Sequence, residues 1–198
     1  EYRRQRQMCI RDRIIDKPIV EHLIDQISSR LATQIDEIIY ILGDEAYFNS
    51  DVVTSLTLIA KKYNAKSKVY RQLHQLGTGH AIMCAEESLD GPSIVAYADT
   101  MIQGQILIEP DVDGIIWVKK VKNPSSYGVV RLDEKQNIVD LIEKPQDYIS
   151  DLAVVGIYYF KDISIIRDKL KIHLNEKLSP GKELSLIHIS EPTRHERI

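Results

Sequence analysis

Three short runs follow one another within 34 residues: Lys66-Ser67-Lys68-Val69-Tyr70-Arg71-Gln72, then Leu76-Gly77-Thr78-Gly79-His80-Ala81, then Ser93-Ile94-Val95-Ala96-Tyr97-Ala98-Asp99. The first reads as a strand, the glycine pair as a turn, residues 78–87 as a helix, and residues 93–97 as a short buried strand. Upstream, residues 51–62 read as a helix, and residues 35–42 as a β-branched buried strand closed by Gly43. Residues 18–31 place Ile19, Leu23, Ile27 and Leu31 on one helical face, with Pro18 in the first turn. Strand and helix alternate, which predicts a mainly parallel sheet covered by helices. Downstream the character changes. Residues 115–121, 128–132, 138–142 and 153–160 read as strands, 133–137 as a hairpin turn and 163–170 as a helix. The expectation is one α/β domain whose second half adds mixed or antiparallel strands.

The two ends read differently. Met8-Cys9-Ile10-Arg11-Asp12-Arg13 can be encoded by ATG TGT ATA AGA GAC AG plus one base. The reverse complement of that run, read in frame, gives Leu-Ser-Leu-Ile-His and the start of Ile, which is Leu184-Ser185-Leu186-Ile187-His188-Ile189. The ends are readable as opposite strands of one DNA element, similar to a transposase adapter of sequencing libraries. Residues 1–13 and 184–198 are therefore set aside as adapter translation, and residues 14–183 are read as the domain.

The 170 residues from 14 to 183 suffice for one domain with a substantial core. The whole chain has a formal charge of −3, and residues 14–183 carry 19 Lys and Arg against 25 Asp and Glu. An acidic core lacks the clustered cations that nucleic-acid binding needs. Of the two cysteines only Cys84 lies in the domain, so no internal disulfide or thiolate metal site can form there, and a buried inert thiol is expected. No apolar run approaches the ~18–20 residues that span a bilayer. A cytoplasmic location fits.

Few residues carry chemistry by themselves. Gly77 and Gly79 let a backbone approach a ligand closely before a helix start, but a tight structural turn explains them as well. Asp99, just after a strand, could hold Mg²⁺ through oxygen or could cap a turn. Glu143 and Lys144 could divide the hydroxyls and the phosphate of a sugar phosphate, or form a solvated pair before Pro145. His22, His74, His80 and His173 show no ligand spacing, and His80 reads as a structural or capping residue.

As a set, these segments resemble the sugar-1-phosphate nucleotidylyltransferases, with the glucose-1-phosphate thymidylyltransferases and related bacterial enzymes most similar. Lys17-Pro18-Ile19 resembles the helix start that follows the family's glycine-rich loop. Gln72 to Ala81 resembles its base-contacting segment, and Asp99 matches the Asp of its Gly-Asp-X motif, with Ala98 where many relatives have Gly. Asn123-Pro124 with Tyr127-Gly128-Val129, Glu143-Lys144-Pro145 and Ala153-Val154-Val155-Gly156-Ile157-Tyr158 match three further motifs in order.

The resemblance implies a Rossmann-like three-layer nucleotidyltransferase fold with a mixed, mainly parallel sheet, truncated at both ends. It implies transfer from a nucleoside triphosphate to a sugar-1-phosphate with Mg²⁺, and leaves room for a homo-oligomer. A catalytically silent regulatory or assembly subunit is the alternative. Gln72, Gly77 and Thr78 would contact the nucleoside, and Asp99 would coordinate the metal. Gly128, Glu143, Lys144, Val154 and Tyr158 would meet the sugar, with Asp99 and Lys144 catalytic. Glu183 resembles a further sugar contact. The family's opening strand, its Gly-X-Gly-Thr-Arg loop and a second metal-binding Asp are not found in the sequence, so these residues alone are expected to be inactive. Base and sugar stay open.

Overall fold

A computed structural model describes residues 13–14, 16–101, 106–109 and 111–176. The elements in chain order are β1 (Arg13–Ile14), β2 (Lys17–Pro18), α1 (Ile19–Ser28), β3 (Glu37–Leu42), α2 (Ser50–Lys62), β4 (Lys66–Arg71), α3 (Thr78–Met83) and β5 (Ser93–Ala96). They are followed by β6 (Gly114–Lys120), β7 (Gly128–Leu132), β8 (Ile138–Glu143), β9 (Leu152–Phe160) and α4 (Ile163–Glu176).

Local chemistry explains the helices. In α2 the Asn49 side chain accepts from the Val52 N–H at 3.3 Å, satisfying one of the free amides at the helix start. Asp51 sits in the first turn and Lys61 and Lys62 in the last, each opposing the dipole charge at its end. Val52, Leu56, Ile59 and Ala60 form the buried face, packed with Val20 and Ile24 of α1 and Tyr40 and Leu42 of β3. Glu21 of α1 is only 4% exposed, and its charge is compensated by Lys62 Nζ at 2.6 Å. Leu56 is fully buried. Leu56→Ala is expected to cost about 2–5 kcal/mol, from lost transfer energy and the cavity left behind. Urea denaturation checks this, with the exposed Leu58→Ala as a control within about 0.5 kcal/mol.

The strands depart from the expected parallel majority. Among the described residues only β3 and β4 pair in parallel, from Glu37 opposite Lys66 to Leu42 opposite Arg71. A second sheet of five strands pairs antiparallel throughout. The reason is connectivity: hairpins and returns across β9 join the second half, with no intervening helix to carry a parallel crossover. The hairpin turn between β7 and β8 forms as expected, with Asp133 Oδ1 accepting from the Lys135 and Asn137 N–H groups.

Strand β9 lies at the centre of this sheet. Strand β6 runs along one edge, opposing Tyr158 to Phe160 and Leu152 to Val154. The other edge is shared. Strand β5 takes Ile157 to Phe160, and β7 meets Ala153 through Val129. Between them, residues 154–156 of β9 have neither strand as a neighbour. Among the described residues, no helix is long and apolar enough to cross a membrane.

Candidate functional site

The gap beside residues 154–156 of β9 is flanked by several of the residues expected to meet sugar and metal. The chain leaving β5 closes onto β9 there: the Tyr97 N–H donates to Gly156 O at 3.0 Å and Thr100 Oγ1 donates to Val155 O at 3.1 Å. The turn between these two anchors presents Asp99, which is exposed and makes no hydrogen bond or ion pair with a described residue. Strand β7 starts at the opposite side of the gap with Gly128, which lies across from Glu143 at the end of β8. The Lys144 N–H donates to Tyr127 O at 3.0 Å, and Lys144 adopts a left-handed φ of +44°, which turns the chain out of β8. Its ammonium stands 4.0 Å from Glu143 Oε1, and both side chains face solvent, 67% and 39% exposed. Asp99, Gly128 and Val154 thus border one break in one sheet edge, and Glu143 and Lys144 lie one strand further out, beside Gly128 and Tyr127.

Tyr158 is placed differently from the expectation of a side chain lining the sugar end. It is 3% exposed and packs in the core with Ile82, Met83 and Leu170. Burial, then the neighbouring Tyr97 and Glu143, hold its hydroxyl proton well above the ordinary range. Its ring packs tilted against that of Tyr97, with centroids 6.1 Å apart. Gly156 has φ +79°, and a Cβ placed on it would lie 2.5 Å from the Tyr97 ring. The glycine is needed both for its backbone and for the ring that rests on it.

The residues expected to contact the nucleoside follow the carboxyl end of β4. The Gln72 N–H donates to Leu42 O at 2.7 Å, and its side chain is folded back onto the loop that follows. Gln72 Nε2 lies 2.9 Å from Gly77 O and 3.1 Å from His80 Nδ1. Gly77 has φ +97° and ψ 177°, a backbone region that glycine alone occupies readily. Thr78 begins α3, directly after it. His80 has its pKa lowered by burial and then by His74. Arg71 pins the loop after β3 by donating to Gly43 O at 3.0 Å and to Phe48 O at 2.7 Å. The roles of Arg71 and Tyr97 escaped the sequence reading, because each acts on a backbone group far along the chain. The two halves share one core, in which Ile41, Tyr70, Val95 and Tyr97 pack on Ile82, Met83 and Tyr158.

An open groove of about 730 Å³ lies elsewhere, bordered by Tyr70, Cys84, Glu86, Arg167 and Lys171, and it contains none of the expected site residues. Its charges are paired internally, Lys171 with Glu86 at 2.6 Å and Arg167 with Asp168 at 2.9 Å. Cys84 at its edge is a free, half-buried thiol whose pKa burial raises, as expected of an unreactive cysteine. Among the described residues no three His, Cys, Asp or Glu side chains gather in a metal cage. Mg²⁺ does not require one, because it is commonly held by one or two carboxylates together with substrate phosphates and water. An exposed, unpaired Asp99 fits that mode.

Residues 13–187 match the family model described as nucleotidyl transferase. The chain is 33% identical over 166 residues to the bifunctional protein GlmU of Methanocaldococcus jannaschii, covering 80% of this chain and 36% of that protein. It is 31% identical over 155 residues to the glucose-1-phosphate thymidylyltransferase of Streptomyces antibioticus, covering 74% and 42%. The chain therefore spans about a third of the length of the GlmU relatives it matches. Its fold matches the nucleoside-diphosphate-sugar pyrophosphorylase from Vibrio cholerae with a TM-score of 0.69 at 15% identity, over 89% of this chain and 75% of that one. It also matches a UDP-glucose pyrophosphorylase solved with UDP-glucose, with a TM-score of 0.62 at 22% identity, over 88% and 74%. The fold is the Rossmann-like α/β fold of these proteins, and the chain belongs to the nucleotidyl transferase family.

Proposed function

We propose that the complete protein carrying this chain transfers a nucleotidyl group from a nucleoside triphosphate to a sugar-1-phosphate. A phosphate oxygen of the sugar attacks the α-phosphorus, a new P–O bond forms, the bond to the β-phosphate breaks and pyrophosphate leaves. What supports this reading is that the Asp99 turn and Gly128 flank one break in the edge of β9, with Glu143 and Lys144 on the neighbouring strand beside Gly128.

Each residue has a distinct task. Gln72 and the Gly77–Thr78 loop hold the nucleoside. Gly128 faces the sugar with its backbone, Glu143 accepts hydroxyl hydrogen bonds, and Lys144 neutralises the sugar phosphate. Val154 borders the same gap, and the Tyr158 ring packs against that of Tyr97. Asp99 holds Mg²⁺, which when bound neutralises phosphate charge and orients the reacting groups. Two anions meet in this reaction, so positioning and charge neutralisation carry the catalysis. A free thiol and no disulfide among the described residues suit a cytoplasmic setting. Residues 14–183 are proposed as the native domain portion, with residues 1–13 and 184–198 foreign. Amplifying the locus without adapters checks that assignment.

The test is pyrophosphate release by the protein encoded by the complete reading frame, over a panel of nucleoside triphosphates and sugar-1-phosphates, with and without EDTA. Chelator-sensitive release that needs both substrates is the expected result. Absence of release from every pair would overturn the reading. Lys144→Met in that protein is expected to lower kcat/KM for the sugar phosphate by about 10–100-fold, the value of a hydrogen bond to a charged group. Because Lys144 is exposed, thermal stability should hold, and steady-state kinetics beside a melting curve separates the two effects.

A further inference from the structure

Strand β9 is interrupted on both sides at the same place. On the β6 side Ile116 opposes Tyr158 and Val118 opposes Val154, so Trp117 alone faces residues 155–157. On the other side the β5 pairing stops at Ile157 and the β7 pairing at Ala153. Val155 and Gly156 therefore stand in a bulge, with Gly156 at φ +79°. Backbone carbonyls removed from a ladder need other donors. Both of these find theirs in one short turn. Gly156 O accepts from the Tyr97 N–H at 3.0 Å, and Val155 O accepts from Thr100 Oγ1 at 3.1 Å.

That turn is Tyr97-Ala98-Asp99-Thr100, closed by the Thr100 N–H donating to Tyr97 O at 3.0 Å. Each of its ends is tied to one of two consecutive carbonyls of β9. Asp99 stands third in the turn, exposed and without a hydrogen bond or ion pair to a described residue. Nothing fixes the carboxylate through its own atoms, so the backbone of the turn must place it. The tie at Tyr97 uses a main-chain amide, which any residue except proline would supply. The tie at Thr100 needs a side-chain hydroxyl. With the first tie alone the turn can swing about Tyr97, and the second stops that rotation.

We infer that Thr100 is a positioning residue, whose hydroxyl, seated on the Val155 carbonyl of the bulge, holds the Asp99 carboxylate in place for a divalent cation. This rests on the proposed metal role of Asp99 and adds to it a second residue that touches neither metal nor substrate. A small hard cation demands near-ideal ligand geometry, and in a reacting site a misplacement of about 1 Å can cost about 10²-fold.

The test uses the complete protein and reads metal binding apart from turnover, by electron paramagnetic resonance of free Mn²⁺ in a titration with Mn²⁺ alone. Thr100→Val keeps the side-chain shape and the backbone N–H and removes only the hydroxyl. It is expected to weaken Mn²⁺ binding about tenfold, the effect of losing one well-made hydrogen bond. Thr100→Ser, which restores the donor, should return binding to within about twofold of the unmodified protein. Thr100→Ala gives the same reading should the valine variant fold poorly. In an Asp99→Ala background Thr100→Val should have no further effect, because both act through one carboxylate. In steady-state kinetics the Mg²⁺ concentration for half-maximal pyrophosphate release should rise by the same factor, while KM for the sugar phosphate holds. Unchanged Mn²⁺ binding without the hydroxyl, no recovery in Thr100→Ser, or a full effect in the Asp99→Ala background would overturn the inference. So would a sugar-phosphate KM that rises in step with the metal requirement, which marks a general loosening of the gap. Mn²⁺ binding that Asp99→Ala leaves unchanged would overturn the metal role itself, and the inference with it. Pyrophosphate release absent from every substrate pair would instead overturn the proposed reaction, and the Mn²⁺ titration would still decide the role of Thr100.

Discussion

Asp99→Ala in the complete protein is expected to lower kcat by about three orders of magnitude, or ~4 kcal/mol, while leaving the melting temperature in place. The fold does not use this side chain. Asp99 is exposed and without a hydrogen bond or ion pair to any described residue. The turn that presents it is held by Tyr97 N–H on Gly156 O and by Thr100 Oγ1 on Val155 O, neither of which the substitution touches. A loss of turnover without loss of stability would therefore report chemistry at the carboxylate. Asp99→Asn should behave almost as badly, since it keeps the shape and hydrogen-bonding capacity but lacks the charge that a hard cation requires. Single-turnover kinetics at saturating substrate, run over a Mg²⁺ and Mn²⁺ titration, checks this. Near wild-type turnover in both variants would remove Asp99 from metal binding.

Gly156→Ala is expected to damage both fold and site. The added methyl would lie 2.5 Å from the Tyr97 ring, in a backbone with φ +79°. Left-handed backbone at a non-glycine residue costs about 1–2 kcal/mol, and overpacking adds about 1–3 kcal/mol. A total loss of roughly 2–5 kcal/mol in urea denaturation is the expected outcome. The ring can relieve the clash only by moving. Moving it strains the hydrogen bond from Tyr97 N–H to Gly156 O, which anchors the Asp99 turn. Activity measured well below the new melting temperature should therefore fall as well. A Tyr97→Ala companion separates the two sources, because the double variant keeps the backbone strain and loses the ring contact. A smaller penalty for Gly156→Ala in the Tyr97→Ala background than in the wild type is expected, and a purely additive result would remove the ring contact from the account.

The elements were legible where one residue pattern dictates one structure. The helix expected over 51–62 begins one residue earlier, at Ser50, because its cap, dipole charges and buried stripe agree. The helix expected over 78–87 ends at Met83. The chain turns there to bury Ala85 completely, and a separate 3₁₀ turn follows at Glu86–Ser88. The last helix runs past 170 to Glu176, since Leu174 continues the stripe set by Ile163, Ile166 and Leu170. Strand direction was not legible in the second half. Apolar runs of similar length fit parallel and antiparallel sheets alike, and only the pairing of β9 with β5, β6 and β7 decides. The expected site residues were legible as motifs, but the strand pairing that relates them was not. Asp99 follows β5 and Glu143 ends β8, 44 positions later, and they are related through β9 and β7. Tyr158 illustrates the converse. Its motif suggested a sugar contact, but both faces of β9 are covered here, with Tyr158 in one core cluster and Ile157 in another. The contacts of the Gln72 amide nitrogen with Gly77 O and His80 Nδ1 cross a loop, which no spacing rule encodes.

The most direct test of the central claim is a crystal structure of the complete protein with Mn²⁺ and the nucleotide sugar it forms, with the metal located by anomalous scattering. The account expects a metal peak at about 2.1 Å from an Asp99 carboxylate oxygen, the distance for a small hard cation, with the sugar between Glu143, Lys144 and the Gly128 backbone. A metal bound elsewhere, or a nucleotide sugar seated away from the gap beside residues 154–156, would contradict it.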